Sequence, residues 1–420
     1  PSPPPPLTPS PTAPPAPTHR PIYLPAVRRP DALADRVAYR LMAMLDRPAE
    51  SGRLVVWDWE AGVGLVGLMT AYSDGRDPRV LRWVDDWLSR AVREGWVDPR
   101  RPALRQPNDI VPAWGALLRD RTYGDDRHGA LFARASAWLV GGAGTAGAPR
   151  VALPLGVGGA DLPAGWPGAW SHLPDRPEVW DDTLFMAAPF LARYGQGGSA
   201  AGDGASGTAD VALAQEAARQ VIAHAAVLQD PSSGLWFHGW SAAPADAAAP
   251  HMSGGYWARG NAWAALATTE VIDSLPADDP LRTALRDVLV RQLTALARLQ
   301  APSGLWHTEV TRPDYYTETS GSAGIAAALY RAIAAGWLPP ALRATADRAY
   351  GGVVARIAAD GAVTGVSAGT GVPSAEQGIA LYNRIDASRI QPYGQGLALL
   401  LFEARERADA AARRAGEQAP

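Results

Sequence analysis

Residues 228–240 read LQDPSSGLWFHGW, and residues 299–310 read LQAPSGLWHTEV. Each copy ends an apolar-periodic segment, turns through Pro-Ser-Gly and presents Leu-Trp with a histidine just after, so a helix, turn and aromatic loop recur as a unit. Recurring units of this kind mark stacked helical hairpins. Loops this rich in aromatic and polar groups are better explained as converging on one mouth than as strung along an open superhelix. The repeat therefore predicts an all-α fold, a single-domain (α/α)6 barrel built as a toroid of six helical hairpins.

Working outward, apolar residues recur at three- and four-residue spacing in twelve segments: 31–45, 59–72, 77–92, 110–120, 128–140, 181–195, 209–228, 258–275, 280–299, 318–336, 341–358 and 393–411. Twelve helices make six hairpins. Alternating strand pattern is confined to short pieces such as RVALPLGVG from Arg150. The opening PSPPPPLTPSPTAPPAPTHRP cannot form a core and reads as an extended tether. The expected organisation is a Pro-rich disordered tail or linker over 1–30, one barrel domain over 31–412 and a disordered tail over 413–420. GGSAAGDGASGTAD, from Gly197, reads as a flexible insertion between helices.

Composition excludes several classes of chemistry. The 420 residues are 47% apolar with a net charge of -3, and every basic residue is arginine. No basic stripe points to nucleic acid, and no apolar run is long enough to cross a bilayer. The absence of cysteine removes disulfides, thiolate nucleophiles and Cys-ligated metals together. Gly141 and Ser253 open glycine-rich stretches, but neither follows a clear strand or carries a P-loop lysine, and no nucleophile elbow is present. The proline-rich head resembles the stub left after an export signal. The expected compartment is periplasmic or secreted, with a cytoplasmic enzyme bearing a disordered head as the alternative.

The segment around the first repeat, 235–263, gathers Trp236, Trp240, Trp257 and Trp263 with His238, His251 and Arg259. Indole faces suit the apolar faces of pyranose rings and a guanidinium fork suits a carboxylate, so the implied ligand is an acidic sugar; the competing reading is a tryptophan-heavy core. Trp257, Arg259 and Trp263, two and six residues apart at a helix entrance, can line one cavity or simply pack. The spacing of His238 and His251 fits no helix-face metal pair, so neither metal nor cofactor is expected.

Among acids, Asp181 and Asp182 open a strongly apolar helix, where either can cap free N–H groups. Asp182 lies nearer Leu184, Phe185 and Met186, and apolar crowding predicts a raised pKa suited to a general acid. Asp109, after a proline turn, reads as an N-cap or a second acid. His172, in the loop ahead of Asp182, reads as a solvent-exposed loop residue or a ligand contact.

Taken in order and spacing, VWDDTLFMAAPF, GLWFHGW, YWARGNAW, SGLWHTEV, YYTETSGSAG and QPYGQGLALLLFEA resemble the unsaturated rhamnogalacturonyl hydrolases of glycoside hydrolase family 105, relatives of the family 88 unsaturated glucuronyl hydrolases. The resemblance spans about Trp57 to Glu403. It implies an (α/α)6 catalytic domain with a deep pocket at its loop end. It also implies hydration of the C4=C5 double bond that polysaccharide lyases leave on a nonreducing uronic acid. An aspartic acid protonates C4, water adds at C5, and the hemiketal collapses to release the next sugar.

The acid of the W-x-D-x-L-[FY]-M pattern falls on Asp182, leaving Asp181 as neighbour or cap, and a second family aspartate falls on Asp109 or aligns with Asn108. His172, His238, Trp257, Arg259 and Trp263 match pocket positions, and Trp59 an aromatic lining position. Arg259 is expected near the uronate or its leaving sugar.

The expected partner is a small oligosaccharide, with unsaturated galacturonyl-rhamnose from rhamnogalacturonan as substrate. The alternatives are an unsaturated glucuronyl unit from ulvan, arabinogalactan or a glycosaminoglycan, and a noncatalytic protein that binds acidic sugars.

Overall fold

The computed structural model describes residues 32–46, 56–141, 147–154, 162–163, 165–197, 210–243 and 250–417. The tail expected over 1–30 and nearly all of the insertion after Gly197 lie outside the described residues. Among the described residues twelve α-helices follow in order: α1 (Ala32–Leu45), α2 (Trp59–Tyr72), α3 (Pro78–Arg93), α4 (Val111–Tyr123), α5 (Gly129–Val140), α6 (Asp182–Gly195), α7 (Val211–Leu228), α8 (Ala258–Ser274), α9 (Leu281–Arg298), α10 (Thr319–Ala334), α11 (Arg343–Val354) and α12 (Pro392–Glu417). Helix α12 is helical to Glu417, its last turns rich in alanine and arginine, both strong helix formers.

The even-numbered helices close a ring. Helix α2 packs on α4, α4 on α6, α6 on α8, α8 on α10, α10 on α12, and α12 returns to α2. The odd-numbered helices lie outside it, with α1 against α12, α3 against α2 and α4, α5 against α6, α7 and α9 against α8, and α11 against α10. This is the expected (α/α)6 barrel.

The two rings differ as their sequences require. Helix α2 (WEAGVGLVGLMTAY) is apolar nearly all round and buried over almost its whole length, whereas α3 (PRVLRWVDDWLSRAVR) buries Val80, Leu81, Val84, Trp87, Leu88 and Ala91 and leaves charge on its other face. Three short antiparallel pairs stitch the loops: β1 (Arg150–Val151) with β2 (Ala169–Trp170), β3 (Glu178–Trp180) with β4 (Gly239–Ser241), and β5 (Trp306–His307) with β6 (Thr317–Glu318). Among the described residues no helix is long and apolar enough to cross a membrane.

Ring closure depends on small residues where inner helices cross. A Cβ on Gly67 of α2 would stand 2.5 Å from the carbonyl oxygen of Gly396 on α12, so the two backbones touch and no larger residue fits. At the far end, Glu270 of α8 joins Arg193 of α6, whose Nε lies 2.9 Å away, to Arg331 of α10. Burial disfavours the Glu270 charge, but the two guanidinium groups outweigh it and hold the carboxyl well below its usual range.

Gly67→Ala should destabilise the fold by about 2 kcal/mol through overpacking at the α2–α12 seam. Denaturant unfolding measures this, and an unchanged midpoint would show that the two helices can separate freely.

Candidate active site

All six inner helices present their N-terminal ends to one mouth. Trp59 is the first residue of α2; Asn108 lies in the 3-10 turn Pro107–Asp109 that leads into α4; Asp182 is the first residue of α6; Trp257 caps α8; Glu318 caps α10; Tyr393 is the second residue of α12. A cavity of about 240 Å³ opens there, lined by Trp59, Asn108, His172, Trp180, Asp182, Trp257 and Arg259, together with Gln106, Leu173, Met186 and the segment Gly369–Gly371. Six converging helix N-termini carry partial positive charge, so the mouth favours an anionic group before any side chain is counted.

Asp182 stands at the centre of a hydrogen-bonded relay. Its Oδ2 accepts from Nε2 of His238 at 3.1 Å, Nδ1 of His238 meets the Tyr382 hydroxyl at 2.9 Å, and that hydroxyl meets Ser253 Oγ at 3.1 Å. The strand pair β3–β4 makes this possible by placing Trp180 beside Gly239, so the residues flanking each strand end meet. His238 also rests against Trp257, with ring centroids 4.3 Å apart.

The apolar crowding read from Leu184, Phe185 and Met186 predicted a raised pKa for Asp182, and the site reverses that expectation. Burial does push it up, but the hydrogen bond from His238, with the charges of His238 and Arg259, brings it below its usual range. Helix geometry buries Leu184 and Phe185 in the barrel, while Met186 lines the cavity and Asp182 at the first position meets His238.

His172 is buried rather than solvent-exposed. Its ring stacks on Trp180 at 4.3 Å and 8°, with Nδ1 3.0 Å from Thr183 Oγ1 and Nε2 3.4 Å from the Asn108 amide nitrogen. Burial pushes its pKa down to about 4, against the pull of Asp182 and with help from His238. The neutral ring then donates through Nδ1–H to Thr183 and accepts from Asn108.

The structure places Asn108 and Asp109 differently. Asn108 lines the cavity, whereas Asp109 turns back and accepts from the backbone N–H groups of Arg105 at 2.7 Å and Gln106 at 3.0 Å. Asp109 caps its own turn and is not brought to the site.

Of the four tryptophans in the 235–263 segment, Trp257 alone lines the cavity. Trp263 is two helical turns deeper and fully buried, its ring 4.4 Å from Phe185 in the barrel interior. Trp236 is buried in the core, and Trp240 sits in β4 opposite Val179. Trp59 is where the sequence suggested, stacked on Tyr393 at 4.6 Å.

Arg259 reaches the cavity, but its fork is not free for a carboxylate. One amino nitrogen donates to the carbonyl and Oγ of Ser367 at 3.0 and 2.5 Å and the other to the Ala368 carbonyl at 2.9 Å, with Glu318 Oε1 3.6 Å away. Its guanidinium lies over Trp257 at 4.3 Å and Tyr393 at 4.8 Å. Arg259 thus fastens the 367–371 segment as the cavity wall and adds a fixed positive charge.

Trp180, Thr183, Tyr382 and the Gly369–Gly371 wall were missed in the sequence. Trp180 and Thr183 flank the two aspartates and could have been included with them. Tyr382, 144 residues from its partner His238, carries no local signal. Asp181, Asp182 and His238 bring ligand-type atoms within 4.8 Å of one another. Both nitrogens of His238 are already engaged by Asp182 and Tyr382, so the cluster is an acid and imidazole relay; a cation would have to break it.

A family model described as Glycosyl Hydrolase Family 88 matches residues 166–408. The unsaturated rhamnogalacturonyl hydrolase YesR of Bacillus subtilis is 31% identical over 343 residues, covering 82% of this chain and 88% of that one. A solved structure described as a possible member of the GH105 family, from Salmonella enterica serovar Paratyphi A, superposes with a TM-score of 0.72 at 25% identity, covering 91% of this chain and 97% of that one. The unsaturated glucuronyl hydrolase of Bacillus sp. GL1, responsible for degradation of glycosaminoglycan, shares the fold at a TM-score of 0.58 and 16% identity, covering 88% of this chain and 94% of that one.

His238→Asn should raise the Asp182 pKa, because it removes the donor and charge that favour the carboxylate. Infrared carboxyl titration, with Asp182→Asn as the reference that identifies the band, should show protonated Asp182 persisting to higher pH; a shift to lower pH would contradict the relay.

Proposed function

Because this chain belongs to glycosyl hydrolase family 88, and is therefore a glycosidase, we propose that it hydrates the C4=C5 double bond of a nonreducing-end unsaturated uronic acid and so releases the neighbouring sugar. The carrying observation is that Asp182 is the one carboxyl among the described residues lining the cavity. Displacement at an anomeric carbon calls for two carboxyl groups flanking the glycosidic bond. Hydration of an enol ether needs one acid, which gives its proton to C4 and later takes a proton from the water that adds at C5.

The surrounding groups suit that sequence of events. Positive charge develops at C5 and the ring oxygen after protonation, and the carboxylate left on Asp182 faces it across the cavity. The uronate carboxylate is favoured by the helix N-termini and by the fixed charge of Arg259. Trp257 and Trp59 offer flat faces to the sugar, and a cavity of about 240 Å³ suits one terminal ring rather than the middle of a polymer. An anionic substrate also disfavours the Asp182 carboxylate, moving the acid back toward its protonated form on binding.

We assign the substrate to small products of rhamnogalacturonan lysis carrying unsaturated galacturonyl-rhamnose. The likeness to the rhamnogalacturonyl hydrolase of Bacillus subtilis over most of both chains supports this choice. A panel of lyase-treated rhamnogalacturonan, ulvan, arabinogalactan and glycosaminoglycan tests it, with turnover followed by loss of the ultraviolet absorbance of the double bond. Preference for a glucuronyl product would overturn the substrate assignment, and saturable binding without turnover on every member would overturn the enzyme.

Asp182→Asn should lower kcat by about 10³-fold with the fold intact. Trp257→Ala should raise KM by about five- to tenfold through lost stacking, whereas Trp263→Ala should cost about 3–5 kcal/mol of stability as a core truncation. Comparison of KM with the unfolding midpoint separates the two tryptophans.

A further inference from the structure

Asp181 has no work in the site as described. It precedes α6 at the cap position, yet its side chain makes no capping hydrogen bond. It is 0% exposed, and neither carboxylate oxygen meets a donor. Its backbone N–H donates to the His238 carbonyl at 3.1 Å, which fixes its place beside the relay. Gly260 of α8 packs directly on the carboxyl, where a Cβ would stand 2.1 Å from Oδ2. An ionised carboxylate without a donor in such a place is strongly disfavoured, because nothing replaces the water it has lost. A protonated one needs an acceptor, and the adjacent Asp182 carboxyl supplies it: the two side chains belong to one cluster with His238 and interact through a side-chain hydrogen bond that favours the protonated form of Asp181.

We propose that Asp181 is a positioning residue that holds a proton for Asp182, so that the acid of this enzyme is a carboxyl pair sharing one proton. This rests on Asp182 being the acid that protonates the double bond. Burial and the neighbouring Asp182 raise the Asp181 pKa well above its usual value, in accord with that arrangement. The charged and titratable groups facing the pair are His238, His172, Arg259 and Tyr382; Tyr382 is itself held neutral by burial.

The pair resolves a conflict inside the site. Asp182 is favoured as a carboxylate by His238 and Arg259, but the reaction requires it as an acid. With Asp181 present, the proton moves from the Asp181 carboxyl to Asp182. The Asp182 O–H bond then breaks as the C4–H bond forms, and the proton returns from water to Asp182 as the C5–O bond forms. No proton is gained or lost over the cycle. The acid form therefore stays available until the pair as a whole loses its shared proton, which extends activity toward higher pH.

The test is the pH profile of kcat/KM on an unsaturated disaccharide substrate for the full chain, Asp181→Asn and Asp182→Asn. Asp181→Asn leaves Asp182 alone with its lowered pKa, so the alkaline limb should move down by about one unit or more and activity at neutral pH should fall about tenfold, with recovery on the acid side. A uniform loss at every pH, or an unchanged profile, would overturn the shared proton while Asp182→Asn stays inactive. An active Asp182→Asn would overturn the underlying assignment of the acid. Asp181→Ala gives the same comparison without adding volume and loses no cap, so it replaces Asp181→Asn if that variant fails to fold.

Discussion

Closure of six inner helices into a ring, backbone against backbone, is the constraint on which the molecule depends. The Gly67–Gly396 contact brings the backbones of α2 and α12 together and completes the circle. Once closed, the ring has two different ends. At one, helix C-termini are met by arginines, including Arg331 and Arg193 around Glu270. At the other, helix N-termini and their preceding loops converge, and the electrostatics favour anions.

The site is an outcome of that polarity combined with three short strand pairs. Because β3 runs into α6 and pairs with β4, Trp180, Asp181 and Asp182 arrive beside His238 by backbone hydrogen bonding. The aromatic residues then insulate the relay: Trp180 covers His172, and Trp257 covers both His238 and Arg259. Burial strengthens each charge interaction here, so the two adjacent aspartates are driven in opposite directions, Asp181 up by burial and the neighbouring Asp182 carboxyl, and Asp182 down by the hydrogen bond and positive charges around it.

The parts of this arrangement differ in how visible they are along the chain. The helices are legible because a 3.6-residue apolar period is local; the stretch 59–72 matches α2 residue for residue. The acid motif is legible as well, since Trp180, Asp182 and the apolar helix after it are contiguous. Asp109 and Asn108 are adjacent polar residues of similar shape, and the path of the turn Pro107–Asp109 sends one inward and the other back to Arg105 and Gln106. Trp257 and Trp263 look equivalent in sequence, yet six residues along a helix descending from the mouth separate a cavity wall from the core.

By itself, the sequence determined the helix count, the hairpin repeat, the placement of Asp182 at a helix start and the exclusion of cysteine chemistry, because each is a property of neighbouring residues. Only the tertiary structure decided what those groups do. Arg259 is engaged by Ser367 and Ala368, His238 by Tyr382, and the Asp181 carboxyl is fully buried against Gly260. Ionisation and hydrogen-bond occupancy depend on what lies within a few ångströms, and in a closed ring of helices those neighbours come from distant segments, 108 residues apart for Arg259 and Ser367 and 144 for His238 and Tyr382.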